Sequence, residues 1–262
     1  MKIGVNLNCY GPLPLEEQFS LLKRYGFDTT FCISENPLLA EAIALAKREG
    51  IVFETLHAPY REINAIWSAG EEGEAFLARL IASVESCAAN EIPTLVVHLS
   101  SGLTPPRIND LGNERFDRLM EVAHREGVKI AYENQRMIAN LAMAMEVYPE
   151  AVFCWDVGHE ACFTGGRDYM ALFSKRIGAL HLQDNLCEFN KDLHLIPYDG
   201  AIDMENAAKR LAQSDYKGSI MLELVRSKWE GYAKLTPDEY YAKAADAARR
   251  FGARVESYRN GT

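Results

Sequence analysis

The sequence predicts a single-domain α/β protein, a (β/α)8 TIM barrel, and three observations support this fold class. Short apolar runs rich in Val, Ile and Phe alternate eight times with longer amphipathic segments, which implies right-handed crossovers and a parallel sheet. The 262 residues divided by eight give about 33 per unit, close to the roughly 30 of a minimal βαβ repeat. The glycine-rich phosphate turns of an open doubly wound sheet, GxGxxG and GxxxxGKS/T, do not occur.

The strands and helices follow one another in a regular order. The strands are predicted at residues 2–7, 29–33, 51–57, 94–99, 128–133, 151–156, 177–183 and 218–224. The helices are predicted at residues 14–25, 37–49, 71–89, 114–126, 138–147, 169–174, 204–213 and 237–251. Apolar residues recur at helical spacing, as Leu15, Phe19 and Leu22 do in the first helix. A glycine, the usual residue just past a helix C-terminus, follows four of the helices, namely Gly26, Gly50, Gly127 and Gly252.

The composition is that of a folded protein without a general affinity for polyanions. Hydrophobic residues make up 48% and charged residues 25% of the chain, which excludes the disordered class. The 28 Lys+Arg and 37 Asp+Glu give a net charge of -9, which argues against nucleic acid or an anionic membrane surface as a partner. The six cysteines form no CxxC pair, and no apolar run approaches the ~20 residues of a membrane span. With no signal peptide at the N-terminus, we expect a cytoplasmic protein with reduced thiols.

Side chains that can ligate a metal end six consecutive predicted strands, the third to the eighth. They are His57, His98, Glu133, Asp156, His181 and Glu223, and the adjoining loops add His159, Asp192 and His194. Strand ends converge at the mouth of a barrel, where function resides. A single strand-end histidine is more often structural, and a lone glutamate could pair with an arginine. Six such side chains on consecutive strands predict a divalent metal, because each would be costly to bury without a partner. Zn²⁺, Mn²⁺ and Co²⁺ accept mixed nitrogen and oxygen ligands, whereas Mg²⁺ prefers oxygen.

An ordered set of motifs contains these residues. The motifs are His57-Ala58-Pro59-Tyr60, Val97-His98, Tyr132-Glu133-Asn134, Asp156-Val157-Gly158-His159, His181-Leu182-Gln183-Asp184-Asn185, Asp192-Leu193-His194, Pro197-Tyr198-Asp199-Gly200-Ala201-Ile202-Asp203 and Leu222-Glu223. With them the chain resembles, over residues 1–262, the xylose-isomerase-like barrel superfamily, in particular its sugar phosphate isomerase/epimerase branch. The resemblance implies one divalent metal held by Glu133, Asp156, His181 and Glu223.

The chemistry that this resemblance implies is proton transfer at a carbon next to a carbonyl, in a small sugar or keto-sugar, phosphorylated or not. The metal would chelate the carbonyl oxygen and a neighbouring hydroxyl and stabilise an enediolate. Glu133 and Glu223 would act as bases from opposite sides, and His159 would orient the substrate. Two bases on opposite faces invert a stereocentre, whereas one base on one face interconverts aldose and ketose. Many ketose 3-epimerases of the group carry an arginine six residues after the strand-seven histidine, where this chain has Cys187.

Other activities of the superfamily stay open. Its apurinic endonucleases hold three zinc ions with nine ligands, which correspond here to His57, His98, Glu133, Asp156, His159, His181, Asp192, His194 and Glu223. His57, His98, Asp192 and His194 are therefore additional candidates for binding metal or substrate in such a hydrolase. The lean chain, with little room for loops that grip DNA and no visibly basic loops at the strand ends, argues against that activity. An inosose-type dehydratase would use the same site, and the intact glutamates argue against an inactive sugar-binding barrel.

Several further residues are candidates for contact with a sugar, each with a structural alternative. Asn8, Tyr10 and Asn134 could form hydrogen bonds with sugar hydroxyls or cap strand ends. Trp67 could cover the pocket or pack on the barrel rim. Arg226 and Arg61 could bind a charged substrate or stay solvated. The expected partner is a small sugar of carbohydrate metabolism. A homodimer and a homotetramer are both left open.

Overall fold

A computed structural model describes residues 1–261 and contains the predicted barrel. Its strands are β1 (Ile3–Asn6), β2 (Thr29–Ile33), β3 (Val52–His57), β4 (Thr94–Val97), β5 (Lys129–Glu133), β6 (Val152–Asp156), β7 (Ile177–His181) and β8 (Ile220–Leu222). They form one sheet in the order β7-β6-β5-β4-β3-β2-β1-β8, and each of the seven pairs is parallel. A parallel bridge between Leu182 and Leu222 joins the two edges. The (β/α)8 TIM barrel is therefore confirmed.

Nine α-helices surround the barrel in residues 1–261. They are α1 (Leu15–Arg24), α2 (Leu39–Glu49), α3 (Glu71–Ala89), α4 (Asp110–Glu126), α5 (Ile138–Val147), α6 (Val157–Thr164), α7 (Met170–Phe173), α8 (Met204–Ala212) and α9 (Pro237–Asn260). Short 3-10 helices occur at Ile63–Trp67, Ser174–Arg176, Arg226–Lys228 and Glu230–Tyr232. Within the described residues, no helix combines the length and the apolar character needed to cross a membrane.

Three helices differ from the prediction. Helix α4 begins four residues earlier than predicted, at Asp110, because the Asn109 side chain accepts a hydrogen bond from the Gly112 backbone N–H at 2.9 Å. Helix α6 was not predicted; it begins directly after β6 because the Asp156 carboxylate accepts a hydrogen bond from the His159 backbone N–H at 2.6 Å and so caps it. Helix α9 continues through Gly252, where it was predicted to end, and stops at Gly261, which has a left-handed backbone. Gly252 is a packing position, since a Cβ there would lie 3.3 Å from the Ile220 side chain on β8.

The barrel encloses a small apolar layer beneath its mouth. The layer consists of Val96, Ala131, Cys154 and Ala179, all buried, and a much larger apolar cluster fills the space around them and under the helices. Side chains two residues apart on a strand point the same way. The residues two positions beyond Ala131, Cys154 and Ala179 are Glu133, Asp156 and His181. The strands thus place these three side chains directly above a floor of small residues.

Candidate metal centre

Four of the predicted ligands meet at the C-terminal ends of β5 to β8. Glu133, Asp156, His181 and Glu223 each offer a ligand atom, and these atoms all lie within 4.8 Å of one another. The first three are buried, and the Glu223 side chain is 16% exposed. This set, called the inner tetrad below, is the one that the sequence resemblance implies for a single metal. Three carboxylates and an imidazole at this spacing suit a divalent cation of borderline hardness.

Glu133 lies at the centre of the site, surrounded by histidines. Its Oε2 is 2.6 Å from His98 Nε2 and 3.3 Å from His57 Nε2. Its Oε1 is 3.0 Å from His181 Nδ1 and 3.4 Å from His159 Nδ1. Burial acts to raise the pKa of Glu133, but His98 and His181 hold that pKa well below its usual range. Glu133 is therefore an enclosed carboxylate.

A second set of ligand candidates lies beside the tetrad. His159, Asp192 and His194, called the outer cluster below, also have ligand atoms within 4.8 Å of one another, as do His57, His98 and Glu133. Asp192 Oδ2 is 2.7 Å from His194 Nε2 and 3.8 Å from His159 Nε2. All nine residues that correspond to the ligands of the multi-zinc endonucleases therefore come together at the barrel mouth.

Backbone carbonyls fix the ring orientation of three histidines. His57 Nδ1 lies 2.6 Å from the Ala58 oxygen, His159 Nδ1 lies 3.2 Å from the Asn134 oxygen, and His194 Nδ1 lies 3.0 Å from the Glu223 backbone oxygen. A carbonyl can only accept, so Nδ1 of His57 and of His194 donates, and the Nε2 of a neutral ring then carries the lone pair. His159 Nδ1 also lies 3.0 Å from the Gln135 amide nitrogen. Histidines that bind metals are typically held in this way.

The unprotonated nitrogens of these rings require a positive charge beside them. His57 Nε2 faces Glu133, and His194 Nε2 faces Asp192. A lone pair against a carboxylate is repulsive unless a proton or a metal cation lies between them. At the outer-cluster residue His159 of the metal-free site, a proton fills this role: burial acts to lower the pKa of His159, but Asp156 and Asp192 raise it to about 10. The buried His181 Nε2 and Glu223 Oε2 have no hydrogen-bond partner. The donor set therefore fits a divalent metal.

Gln183 connects the inner tetrad to the outer cluster, and sequence reasoning did not select it. Its amide nitrogen lies 2.9 Å from Asp192 Oδ1 and 3.3 Å from Asp156 Oδ2, and its amide oxygen accepts from the His194 backbone N–H at 3.1 Å. Gly158 makes room for it, since a Cβ there would lie 2.2 Å from Gln183 Cδ. The signal was its place two residues after His181, which puts both side chains on one face.

Two other polar residues at the site were also missed. Gln135 Nε2 lies 3.2 Å from His98 Nε2 and 3.0 Å from His159 Nδ1, and its place two residues after Glu133 was the available signal. Lys228 Nζ lies 3.0 Å from Asp192 Oδ2. Lys228 stands in the 3-10 helix beyond β8, and no periodicity or motif connects it to the site.

Asp184 orders the long loop that carries Asp192 and His194. Its buried carboxylate accepts four backbone N–H groups, those of Asn185 at 2.8 Å, Tyr198 at 3.0 Å, Gly200 at 3.0 Å and Ile202 at 3.1 Å. The Pro197–Asp203 motif is therefore wrapped around one side chain, which explains its composition without a ligand. The loop in turn holds Asp192 and His194 against Gln183.

A cavity of about 570 Å³ opens beside the candidate metal ligands, within the roughly 300–1,000 Å³ range of small-molecule sites. Its charged, amide and imidazole lining residues are Asn6, Asn8, Glu35, Asn36, His57, Arg61, His194, Glu223 and Lys228. Glu223 belongs to both the cavity wall and the inner tetrad. Glu133 does not line this cavity, because His57, His98 and His181 enclose it.

Of the predicted sugar-binding residues, Asn8 lines the cavity, and Trp67 and Asn134 need correction. Trp67 is 3% exposed and its indole N–H donates to the Leu99 oxygen at 2.7 Å, so it packs in the core instead of covering the pocket. Asn134 uses both ends of its amide on the backbone of Asp156, each at 2.8 Å. The Asn134 side chain thus joins the ends of β5 and β6, as in the strand-capping role that the sequence left open for it.

Tyr10 and Arg226 also need correction, because their polar groups bind within the protein. The Arg226 guanidinium lies 4.3 Å from the Tyr10 ring centre and donates to the Ala233 oxygen at 2.8 Å. The Tyr10 hydroxyl donates to the Leu235 oxygen at 2.9 Å. Together they anchor the loop between β8 and α9, and neither lines the cavity.

Comparison with known protein sequences identifies two matches. The family described as "Xylose isomerase-like TIM barrel" matches this chain over residues 19–251. The uncharacterized protein y4fM of Sinorhizobium fredii is 25% identical over 196 residues, which is 68% of this chain. The match spans 60% of the length of that protein.

Solved structures with the same barrel include several enzymes that act on sugars. D-psicose 3-epimerase from Clostridium cellulolyticum H10, solved with D-tagatose, has a TM-score of 0.79 at 15% identity, covering 97% of this chain and 99% of that one. The 3-keto-D-glucoside 4-epimerase YcjR from E. coli has a TM-score of 0.72 at 18% identity, with 97% and 99% covered. The IOLI protein with a bound zinc atom has a TM-score of 0.73 at 17% identity, with 98% and 99% covered. At identities of 15% to 18%, these comparisons show that the fold is shared.

Proposed function

Because the chain belongs to the xylose isomerase-like TIM barrel family, we propose that it is a divalent-metal-dependent isomerase or epimerase of a small sugar or keto-sugar. The observation that carries this proposal is that Glu223 belongs both to the inner tetrad and to the wall of a cavity of about 570 Å³. A compact polar cavity next to a metal site suits a hydroxyl-rich small molecule. The sugar epimerases among the structural neighbours support the same substrate class.

The metal would be held by Glu133, Asp156, His181 and Glu223. When bound, it supplies a positive charge that polarises the substrate carbonyl and so acidifies the neighbouring C–H bond. Zn²⁺, Mn²⁺ and Co²⁺ suit this mixture of carboxylates and imidazole better than Mg²⁺ does. The zinc atom bound to the IOLI protein, which has the same fold, supports Zn²⁺ as the first metal to test.

We assign the proton transfer to Glu223. Burial acts to raise its pKa, but His181 and His194 bring that pKa below its usual value, so the side chain is an ionised acceptor at neutral pH. It is the glutamate of the tetrad that reaches the cavity. Glu133, expected as the opposite base, has a side chain with 0% exposure and histidines on both oxygens. One base on one face supports aldose–ketose isomerisation over inversion of a stereocentre.

Solvent exchange tests this proposal. Metal-loaded protein in D₂O is incubated with a panel of aldoses, ketoses and their phosphates, and deuterium next to the carbonyl is followed by NMR. We expect exchange with at least one sugar, and its loss in Glu223→Gln. If deuterium entered none of the sugars in the panel, the isomerase proposal would be refuted.

A metal-dependent hydrolase of the apurinic endonuclease type is the second candidate. The specific observation that favours it is the set of three histidines with Nδ1 on backbone carbonyls, two of which belong to the outer cluster. This geometry would allow the outer cluster to hold metal as well as the tetrad. Cleavage of an abasic-site oligonucleotide, together with two or three metals per chain and no deuterium exchange, would favour the hydrolase.

A further inference from the structure

The cavity wall contains one positive charge without a partner. The charged and imidazole side chains that line the cavity are Glu35, His57, Arg61, His194, Glu223 and Lys228. Arg61 is exposed in the loop after β3 and makes no hydrogen bond or ion pair within the described part of the chain. An unpaired guanidinium at a binding cavity is available for an anion, which it can bind with two parallel hydrogen bonds.

The acidic groups around Arg61 form ion pairs with another residue, Arg79. Glu35, on the same cavity wall, accepts two hydrogen bonds from Arg79, at 2.7 and 2.8 Å. Glu62, next to Arg61 in the chain, lies 3.5 Å from the same guanidinium. Arg79, which lies outside the cavity, is thus the ion-pair partner of both carboxylates, and neither of them is paired with Arg61.

Lys228 supplies a second positive charge to the cavity. Its ammonium lies 3.0 Å from Asp192 Oδ2 and its side chain is 37% exposed, so Asp192 holds the ammonium in place at the cavity wall. Glu223, the remaining carboxylate of the wall, is a proposed metal ligand. Arg61 is therefore the unpaired positive charge of the wall, and Lys228 adds N–H donors that its contact with Asp192 leaves available.

We propose that the substrate carries an oxyanion, a phosphate ester or a carboxylate, which binds to Arg61 and Lys228 while the reacting end lies at Glu223. This proposal rests on the proposed function and names its substrate class. The cavity of about 570 Å³ holds both ends of such a molecule. Arg226, the arginine that the sequence also suggested for this role, is held against Tyr10 and Ala233 and does not line the cavity.

Binding of polyols that cannot react tests the proposal without any turnover. Zn²⁺-saturated protein is titrated by calorimetry with sorbitol, sorbitol 6-phosphate and gluconate, which lack a reactive ketone. We expect sorbitol 6-phosphate or gluconate to bind about 10- to 100-fold more tightly than sorbitol, the range for one or two charge-assisted hydrogen bonds. In Arg61→Gln that preference falls about tenfold or more, and in Arg61→Gln/Lys228→Met it disappears.

The matched control is Arg125→Gln, because Arg125 is an exposed arginine in the last turn of α4, away from the cavity. This variant should bind all three polyols as the unmodified protein does. The anion whose affinity falls in Arg61→Gln shows whether the site recognises a phosphate ester or a carboxylate. A carboxylate that binds only to the metal would keep its affinity in this variant. Equal binding of all three polyols, no detectable binding of either anion, or a preference that survives in the double variant would overturn the proposal.

The polyol-binding test and the deuterium-exchange test can fail independently of each other. Deuterium exchange into neutral sugars without a preference for anionic polyols would keep the isomerase and remove the anion site. An Arg61-dependent preference without exchange into any sugar would keep the anion site and remove the isomerase.

Discussion

The inner tetrad and the outer cluster are built from the same donors but differ in how the protein balances their charge. Asp192 of the outer cluster contacts His194 and Lys228. Although burial acts to raise its pKa, His194 and His159 hold that pKa well below the usual range. Asp156 of the inner tetrad shows the opposite behaviour: burial raises its pKa to about 7, despite the opposing effect of His159.

Under the proposed metal dependence, this difference favours the inner tetrad as the set that takes up an ion from outside. In the outer cluster, a lysine ammonium already lies on the carboxylate. In the inner tetrad, among the described residues, the positive charges that reach the carboxylates are protons on histidines. A divalent metal at the tetrad replaces such protons, whereas a metal at the outer cluster must be bound beside a fixed cation.

The largest difference between the two sets is expected from removing one carboxylate in each. Glu133→Gln should lower turnover at least about 10²- to 10³-fold and remove the metal, because the amide cannot balance the ion. Asp192→Asn, the matched change in the outer cluster, should leave one metal per chain and most of the activity. Metal analysis and initial rates of the two variants check this contrast. Equal losses of metal and of activity in both variants would show that the outer cluster belongs to the catalytic metal centre.

The pH dependence of metal binding should reflect protons held in the tetrad. Burial acts to lower the pKa of His181, but Cys154 and Glu223 raise it well above its usual value, so the metal-free side chain is protonated at pH 7. Metal binding must displace that proton, so affinity rises with pH and falls on acidification, by about tenfold per pH unit for each proton displaced. Calorimetry in two buffers of different ionisation enthalpy measures the protons released. Affinity that stays constant between pH 6 and 8 would contradict this assignment.

Gln183 should affect both sets, because it bonds Asp156 and Asp192 together. Gln183→Ala removes an outer-shell partner of each carboxylate, and we expect metal affinity to fall about 10- to 100-fold. Gln213→Ala, at the exposed C-terminal cap of α8, is the control and should bind metal normally. If Gln183→Ala bound metal as tightly as the control, the bridge would have no role in holding the ligands.

The smallest expected effect concerns the charge beside the outer cluster. Lys228→Met removes the ammonium from Asp192, and we expect a second Zn²⁺ to bind about 2- to 5-fold more tightly, the order of a partly exposed ion pair. Lys191→Met is the control, since Lys191 is an exposed lysine of the β7–α8 loop that pairs with Glu188. Equilibrium dialysis against Zn²⁺ compares the two variants. A second site that is equally weak in both would show that Lys228 does not limit the outer cluster.

The barrel and the clustering of the ligand candidates could be predicted because both depend on periodic features. Each strand is a short apolar run, and the ends of parallel strands meet at one mouth, so Glu133, Asp156, His181 and Glu223 could be placed together from their positions alone. Helix α6 was missed because it begins at a strand-end ligand with no polar segment between them.

The sugar-contact residues were harder to predict, because a loop position does not determine where a side chain points. Trp67 turns into the core to reach the Leu99 carbonyl, and Arg226 turns onto Tyr10. Lys228 reaches Asp192 across two loops that are distant in the chain. None of these directions follows from an alternating or helical pattern. The cytoplasmic location and the oligomeric state remain predictions.

If the inner tetrad holds the one metal that the proposed reaction needs, one ion per chain is enough for full activity. The most direct test is to titrate metal-free protein with Zn²⁺ while deuterium exchange into a reactive sugar is measured, both in the unmodified chain and in Asp192→Asn. We expect exchange to reach its maximum at one metal per chain in both proteins. Exchange that requires two or three metals per chain, and that Asp192→Asn abolishes, would contradict it.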